Sequence, residues 1–140
     1  MAYGEEDDVA RRLFTREEAS ELLPRIVPLV EHMRSMRRRI AELDEITAGQ
    51  VRNVRRNGHG VDEGAAVRRQ TERDDAVAAL QRGVSELQAL GCEIKDFELG
   101  LVDFPSEREG RVVYLCWKLG EPAVGFWHEV DAGYGGRRPL

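Results

Sequence analysis

The residues of this chain with the most chemical potential lie near its end. Phe126-Trp127-His128-Glu129-Val130-Asp131 places an imidazole beside two carboxylates, Asp103 lies in an apolar run upstream, and Gly133-Tyr134-Gly135-Gly136-Arg137-Arg138 follows. An imidazole with carboxylates can bind a hard cation or transfer protons, as general acid and base do. The glycine-rich tail joins pliable backbone to two guanidiniums, Arg137 and Arg138, which can grip a carboxylate or phosphate. Asp103, His128, Glu129 and Asp131 are therefore the candidate polar site, with His128, Glu129 and Asp131 the metal ligands if a metal is held. Arg137 and Arg138 are the candidate anion-binding pair for a small anionic ligand. Glu129 and Asp131 could equally pair with those arginines. No spacing matches a known metal loop or a helical histidine pair, so the sequence names no cofactor.

A β-hairpin should carry these residues. Val112 to Lys118 and Ala123 to Val130 read as strands joined by the tight turn Leu119-Gly120-Glu121-Pro122. If Lys118 pairs with Ala123, then Trp117 faces Val124, Leu115 faces Phe126 and Val113 faces His128. This register puts His128 on the apolar side expected to pack on helices. Cys116 falls on the opposite side with Tyr114, Trp127 and Glu129, so the two soft metal ligands diverge, against a zinc site. Earlier strands are expected at Cys92 to Phe97 and at Leu101 to Phe104, the second ended by Pro105 and the turn Ser106 to Gly110.

Two helices should support this sheet. Thr15-Arg16-Glu17-Glu18 has the form of a capping box. Pro24 and Pro28 predict a kink or restart after Leu23. Leu22, Ile26, Leu29, Met33, Met36, Ile40 and Leu43 then draw an apolar seam to about Ile46. From Thr47 to Gly64 the periodicity fails, and Asn57-Gly58-His59-Gly60 suggests a connecting loop. A second helix with the seam Val77, Leu80, Val84 and Leu87 ends at Gly91. The fold class is α+β: a long antiparallel helical hairpin, about 15–90, packed on a short antiparallel β-meander with a glycine-rich tail, about 91–140. Residues 13–140 form one domain, and 1–12, with Glu5, Glu6, Asp7 and Asp8, an acidic disordered tail.

Composition bounds the function. A net charge of −5 argues against nucleic acid as the main partner. Arg34, Arg37, Arg38, Arg39, Arg52, Arg55 and Arg56 nevertheless make the hairpin tip locally basic, so weak nucleic-acid contact there is one reading. No apolar run is long enough to span a bilayer. Two cysteines, Cys92 and Cys116, in structured stretches and no secretion signal point to a cytoplasmic protein with reduced thiols. The hairpins outreach short strands, so a homodimer with a four-helix, coiled-coil-like core is expected.

Phe14-Thr15-Arg16-Glu17-Glu18-Ala19, Leu22-Leu23-Pro24, Gly100 to Pro105, Tyr114 to Pro122 and Trp127 to Tyr134 together resemble the bacterial domain-of-unknown-function family 2203 over nearly all of Leu13 to Leu140. The resemblance implies a small protein with helices followed by a sheet. It carries no established activity and no catalytic residues. The leading expectation is a dimeric, non-enzymatic interaction or ligand-binding module. The rival is a metal-dependent hydrolase using Asp103, His128, Glu129 and Asp131.

Overall fold

A computed structural model describes residues 12–58 and 62–140. Residues 1–11 of the expected acidic tail and residues 59–61, with His59-Gly60, lie outside the described residues. Helix α1 (Arg16–Glu21) opens with the expected box: Thr15 Oγ1 accepts from the Glu18 amide at 3.1 Å, and Glu18 Oε1 accepts from the Thr15 amide at 3.1 Å. A break at Leu22 and a restart with Pro24 in the first turn begin α2 (Leu23–Asn57). Helix α3 (Glu63–Leu90) is capped by Asp62 and closed by Gly91, whose φ of 99° is the left-handed conformation its position requires.

Helix α2 does not stop near Ile46 but runs to Asn57, 35 residues in all. The stretch after Ile46 lacks a seam because it packs on no sheet. Its last turns carry local pairs instead, Arg52 to Glu45 and Asn57 to Asn53. The buried line of α3 also differs from the expected one. Ala76, Gly83 and Leu87 are buried, whereas Val77, Leu80 and Val84 are only partly covered. Gly83 belongs to that line because the helices nearly touch there: a Cβ on it would lie 2.6 Å from Met33 Cγ.

Five strands follow in sequence order, each antiparallel to its neighbour: β1 (Glu93–Asp96), β2 (Leu101–Arg108), β3 (Arg111–Lys118), β4 (Phe126–His128) and β5 (Arg138–Pro139). Strand β2 passes through Pro105 instead of ending before it. The Pro105 carbonyl accepts from the Phe14 amide at 2.7 Å, so its missing N–H also points away from β3 and no β2–β3 ladder bond is lost. Val102, Phe104, Val113, Leu115, Trp117 and Trp127 form the helix-facing side, packed with Ile26, Val30, Met33 and Leu87. No helix is long and apolar enough to cross a membrane among the described residues.

Candidate functional site

The opposite side of the sheet carries the polar chemistry. A two-residue turn, Glu109-Gly110, pairs Arg108 with Arg111, and counting back puts Asp103 directly opposite Cys116. On the next strand pair Tyr114 faces His128, Leu115 faces Trp127 and Cys116 faces Phe126. Opposed residues, and those two apart, project from one face. Asp103, Tyr114, Cys116, Phe126 and His128 therefore share the outer face.

This corrects the expected register by one residue. Between Lys118 and Phe126 the expected turn does not join the two strands directly: a turn at 118–121 is followed by residues outside the ladder. Glu121 folds back on the end of β3: its amide donates to the Lys118 carbonyl at 3.0 Å, its Oε1 accepts from the Lys118 amide at 2.7 Å, and its carbonyl accepts from Trp117 Nε1 at 2.9 Å. Val124 is drawn out of the ladder toward α1, donating to Ser20 Oγ at 3.2 Å and accepting from Arg16 Nε at 3.0 Å. One residue of slip exchanges faces, so Trp127 takes the core position expected for His128. The imidazole joins Cys116 instead of diverging from it.

The resulting cluster is closely defined. Asp103 and His128 are 2% exposed and Cys116 is fully buried. Their donor atoms all lie within 4.8 Å of one another. His128 Nε2 is 3.0 Å from Asp103 Oδ2, and Nδ1 is 2.7 Å from the Glu129 carbonyl oxygen. A carbonyl only accepts, so Nδ1 carries a hydrogen and the ring orientation is fixed. One further proton is then shared between Nε2 and the carboxylate, and the pair stays neutral overall on either nitrogen or oxygen.

Burial pushes the Asp103 carboxyl above its ordinary value, with the His128 hydrogen bond working in the other direction. Burial, reinforced by the Asp103 charge, pushes the Cys116 thiol up to about 12. The Cys116 thiol interacts with the Asp103 carboxylate, and Asp103 Oδ1 has no partner within hydrogen-bonding geometry among the described residues. The Tyr114 ring lies 5.6 Å from the imidazole, centre to centre, and Lys95 Nζ lies 5.4 Å over the Tyr114 ring.

This is not the geometry of an activated cysteine nucleophile. The imidazole presents Nε2 to the carboxylate and Nδ1 to a carbonyl, leaving neither to take a proton from the thiol. Nor does the expected quartet assemble. Asp103 and His128 meet, but Glu129 turns away to the Arg111 guanidinium, and Asp131 is exposed. Cys116 takes the third place, on the outer side where the sequence reading put it; His128 is the residue that the sequence reading sent to the helix side.

The tail covers one flank. Arg137 donates to both Glu121 carboxylate oxygens at 2.8 Å, and its guanidinium lies 3.8 Å over the Phe126 ring. It thus already holds a carboxylate. Arg138 is exposed, 5.5 Å from the Trp127 ring. Along the hairpin much of the basic charge is likewise engaged: Arg38 with Glu98, Arg39 with Glu72 and Glu42, Arg52 with Glu45, and Arg73 with Asp44.

The family model for an uncharacterised conserved protein, DUF2203, matches residues 12–140, a span that includes both helices of the hairpin and every strand. The chain belongs to the DUF2203 family. No match was found among curated proteins or among solved structures. In this DUF2203 protein the outer-face cluster contains both buried charged-type side chains among the described residues, Asp103 and His128.

Proposed function

We propose that this DUF2203 protein is a non-enzymatic binding module whose ligand site is the buried cluster Asp103, Cys116 and His128 on the outer face of the sheet. One observation carries the reading. Three ionisable side chains from three strands converge at the cost of burial, and one carboxylate oxygen among them, Asp103 Oδ1, has no hydrogen-bond partner among the described residues. An arrangement retained only for stability would satisfy that oxygen or replace the group by an apolar one. A vacant acceptor inside a fixed donor set suits a ligand that supplies the missing contact.

The stability of Asp103→Val/His128→Leu tests it. Removing both partners together lifts the desolvation cost without stranding a charge, so the variant should unfold at the same or a higher urea concentration than the parent. A loss of about 3 kcal/mol or more, the scale of a broken buried network, would show that the cluster serves the fold.

A second observation favours self-association. Beyond Met33 and Leu80 the hairpin leaves the main core, and Ile46, Val51 and Val67 are 43%, 46% and 65% exposed on that extension. Two helices alone make a marginal core, and a second copy packed on the same extension would complete a four-helix arrangement. Charge supports that partner: Arg55, Arg56 and Arg68 lie at the tip while Asp74 and Asp75 lie nearer the sheet, so an antiparallel two-fold would bring opposite signs together.

A further inference from the structure

The ligand class follows from the donor atoms, if the outer-face cluster is a binding site as proposed above. We infer that Asp103, Cys116 and His128 form a site for a borderline-soft divalent transition ion of the zinc type, with one coordination position open.

Donor chemistry comes first. One sulfur, one imidazole nitrogen and one carboxylate oxygen make a mixed set that suits zinc, whereas magnesium and calcium take oxygen donors almost alone. Charge agrees with the assignment. A thiolate and a carboxylate together neutralise a divalent cation, so a filled site places no net charge in a region where each protein donor is buried. Binding exchanges two protons for the metal, the one on the thiol and the one shared between His128 Nε2 and the Asp103 carboxylate, and both leave to solvent.

The second argument is orientation. A histidine that ligates metal through one nitrogen generally donates its other N–H to a carbonyl or carboxylate, which fixes the ring. His128 has that support: Nδ1 donates to the Glu129 carbonyl at 2.7 Å, and Nε2 points into the cluster. Asp103 Oδ1, buried and without a hydrogen-bond partner among the described residues, is the third indication.

Distance is the last. Ligands at about 2.0–2.3 Å from a tetrahedral zinc stand roughly 3.3–3.8 Å apart. Here the donor atoms are all within 4.8 Å of one another, so side-chain rotations of the order of an ångström bring them to the ion without moving a strand. Three protein donors leave one tetrahedral position for water or a small ligand, the pattern of an open site.

Cobalt titration of the full chain, purified under reducing conditions and stripped with a chelator, tests the site directly. The expected result is one ion per chain with a thiolate-to-cobalt charge-transfer band and the strong visible absorption of a tetrahedral centre, both displaced by zinc and neither by magnesium. Cys116→Ser should abolish the charge-transfer band, Cys92→Ser should keep it, and His128→Gln should weaken zinc binding by at least about tenfold. Circular dichroism verifies that each variant is folded. No charge-transfer band in the folded parent, or a band that survives Cys116→Ser, overturns the metal assignment. The two readings fail separately: with no cobalt bound, an undiminished stability of Asp103→Val/His128→Leu leaves a binding site for another ligand, whereas a large loss removes the site altogether.

Discussion

His128 Nε2 lies 3.0 Å from Asp103 Oδ2 across two strand pairings, with both side chains buried. Breaking this pair from one side should cost more than removing it whole. Asp103→Ala leaves a buried imidazole facing nothing and is expected to lose about 3–5 kcal/mol in urea unfolding. Asp103→Asn should lose about 1–2 kcal/mol, because its amide can still donate to Nε2.

The same pair gives a sign for pH dependence. Asp103 titrates above its ordinary value of 3.8 in the folded state. Its contribution is therefore fully present below that pH and is lost as pH rises through the folded value. The carboxylates of Glu18 and Glu129, half-buried, and of Asp44, Glu72 and Glu98, exposed, are lowered, each chiefly by its hydrogen bonds, and act in the opposite direction. Subtracting the stability of Asp103→Asn from that of the parent isolates the buried group. The difference should fall as pH rises above the ordinary Asp value of 3.8, as urea midpoints would show; a difference that rises would contradict the burial argument.

Both thiols should be inert in the native protein. Burial pushes Cys92 and Cys116 up to about 12, so little thiolate exists at pH 8 and reagent has poor access. Mass spectrometry after brief iodoacetamide treatment should find neither modified, and both modified in denaturant. Labelling of native Cys116 at the rate of a free thiol would place it outside the buried cluster.

The helix contact at Gly83 makes another prediction. A Cβ there meets Met33 Cγ at 2.6 Å and Sδ at 2.7 Å. Gly83→Val should cost about 2–3 kcal/mol in overpacking. In Gly83→Ala the smaller clash is partly offset by about 1 kcal/mol of helix propensity, so its urea midpoint should shift much less.

Self-association is checked by sedimentation. The parent should run as a dimer at micromolar concentration, and Ile46→Arg with Val51→Arg should yield a folded monomer. A monomeric parent would end that part of the account.

Much of the fold could be read from residue order. The capping box at Thr15, the restart at Pro24, the stop at Gly91 and the alternation in β3 are local signals, and each appears where its chemistry requires. Two long-range features were less accessible. Helix α2 past Ile46 has no apolar period because only its partner helix faces it, and Gly83 carries no side chain to mark a seam. The candidate site depended on parity. Asp103 opposite Cys116 was available from Glu109-Gly110, a two-residue turn with φ of 52° and 77°, both in the left-handed region such hairpins use. His128 was not, because its register is set by Ser20 and Arg16, more than a hundred residues away, which draw Val124 from the ladder.

That register is what separates a ligand site from a core histidine, and proton NMR reads it directly. The His128 ring should show nuclear Overhauser contacts to the Tyr114 ring, whose centre is 5.6 Å away. Contacts from His128 to the Val113 and Leu115 methyls in place of Tyr114 would put the imidazole on the helix side and contradict the account.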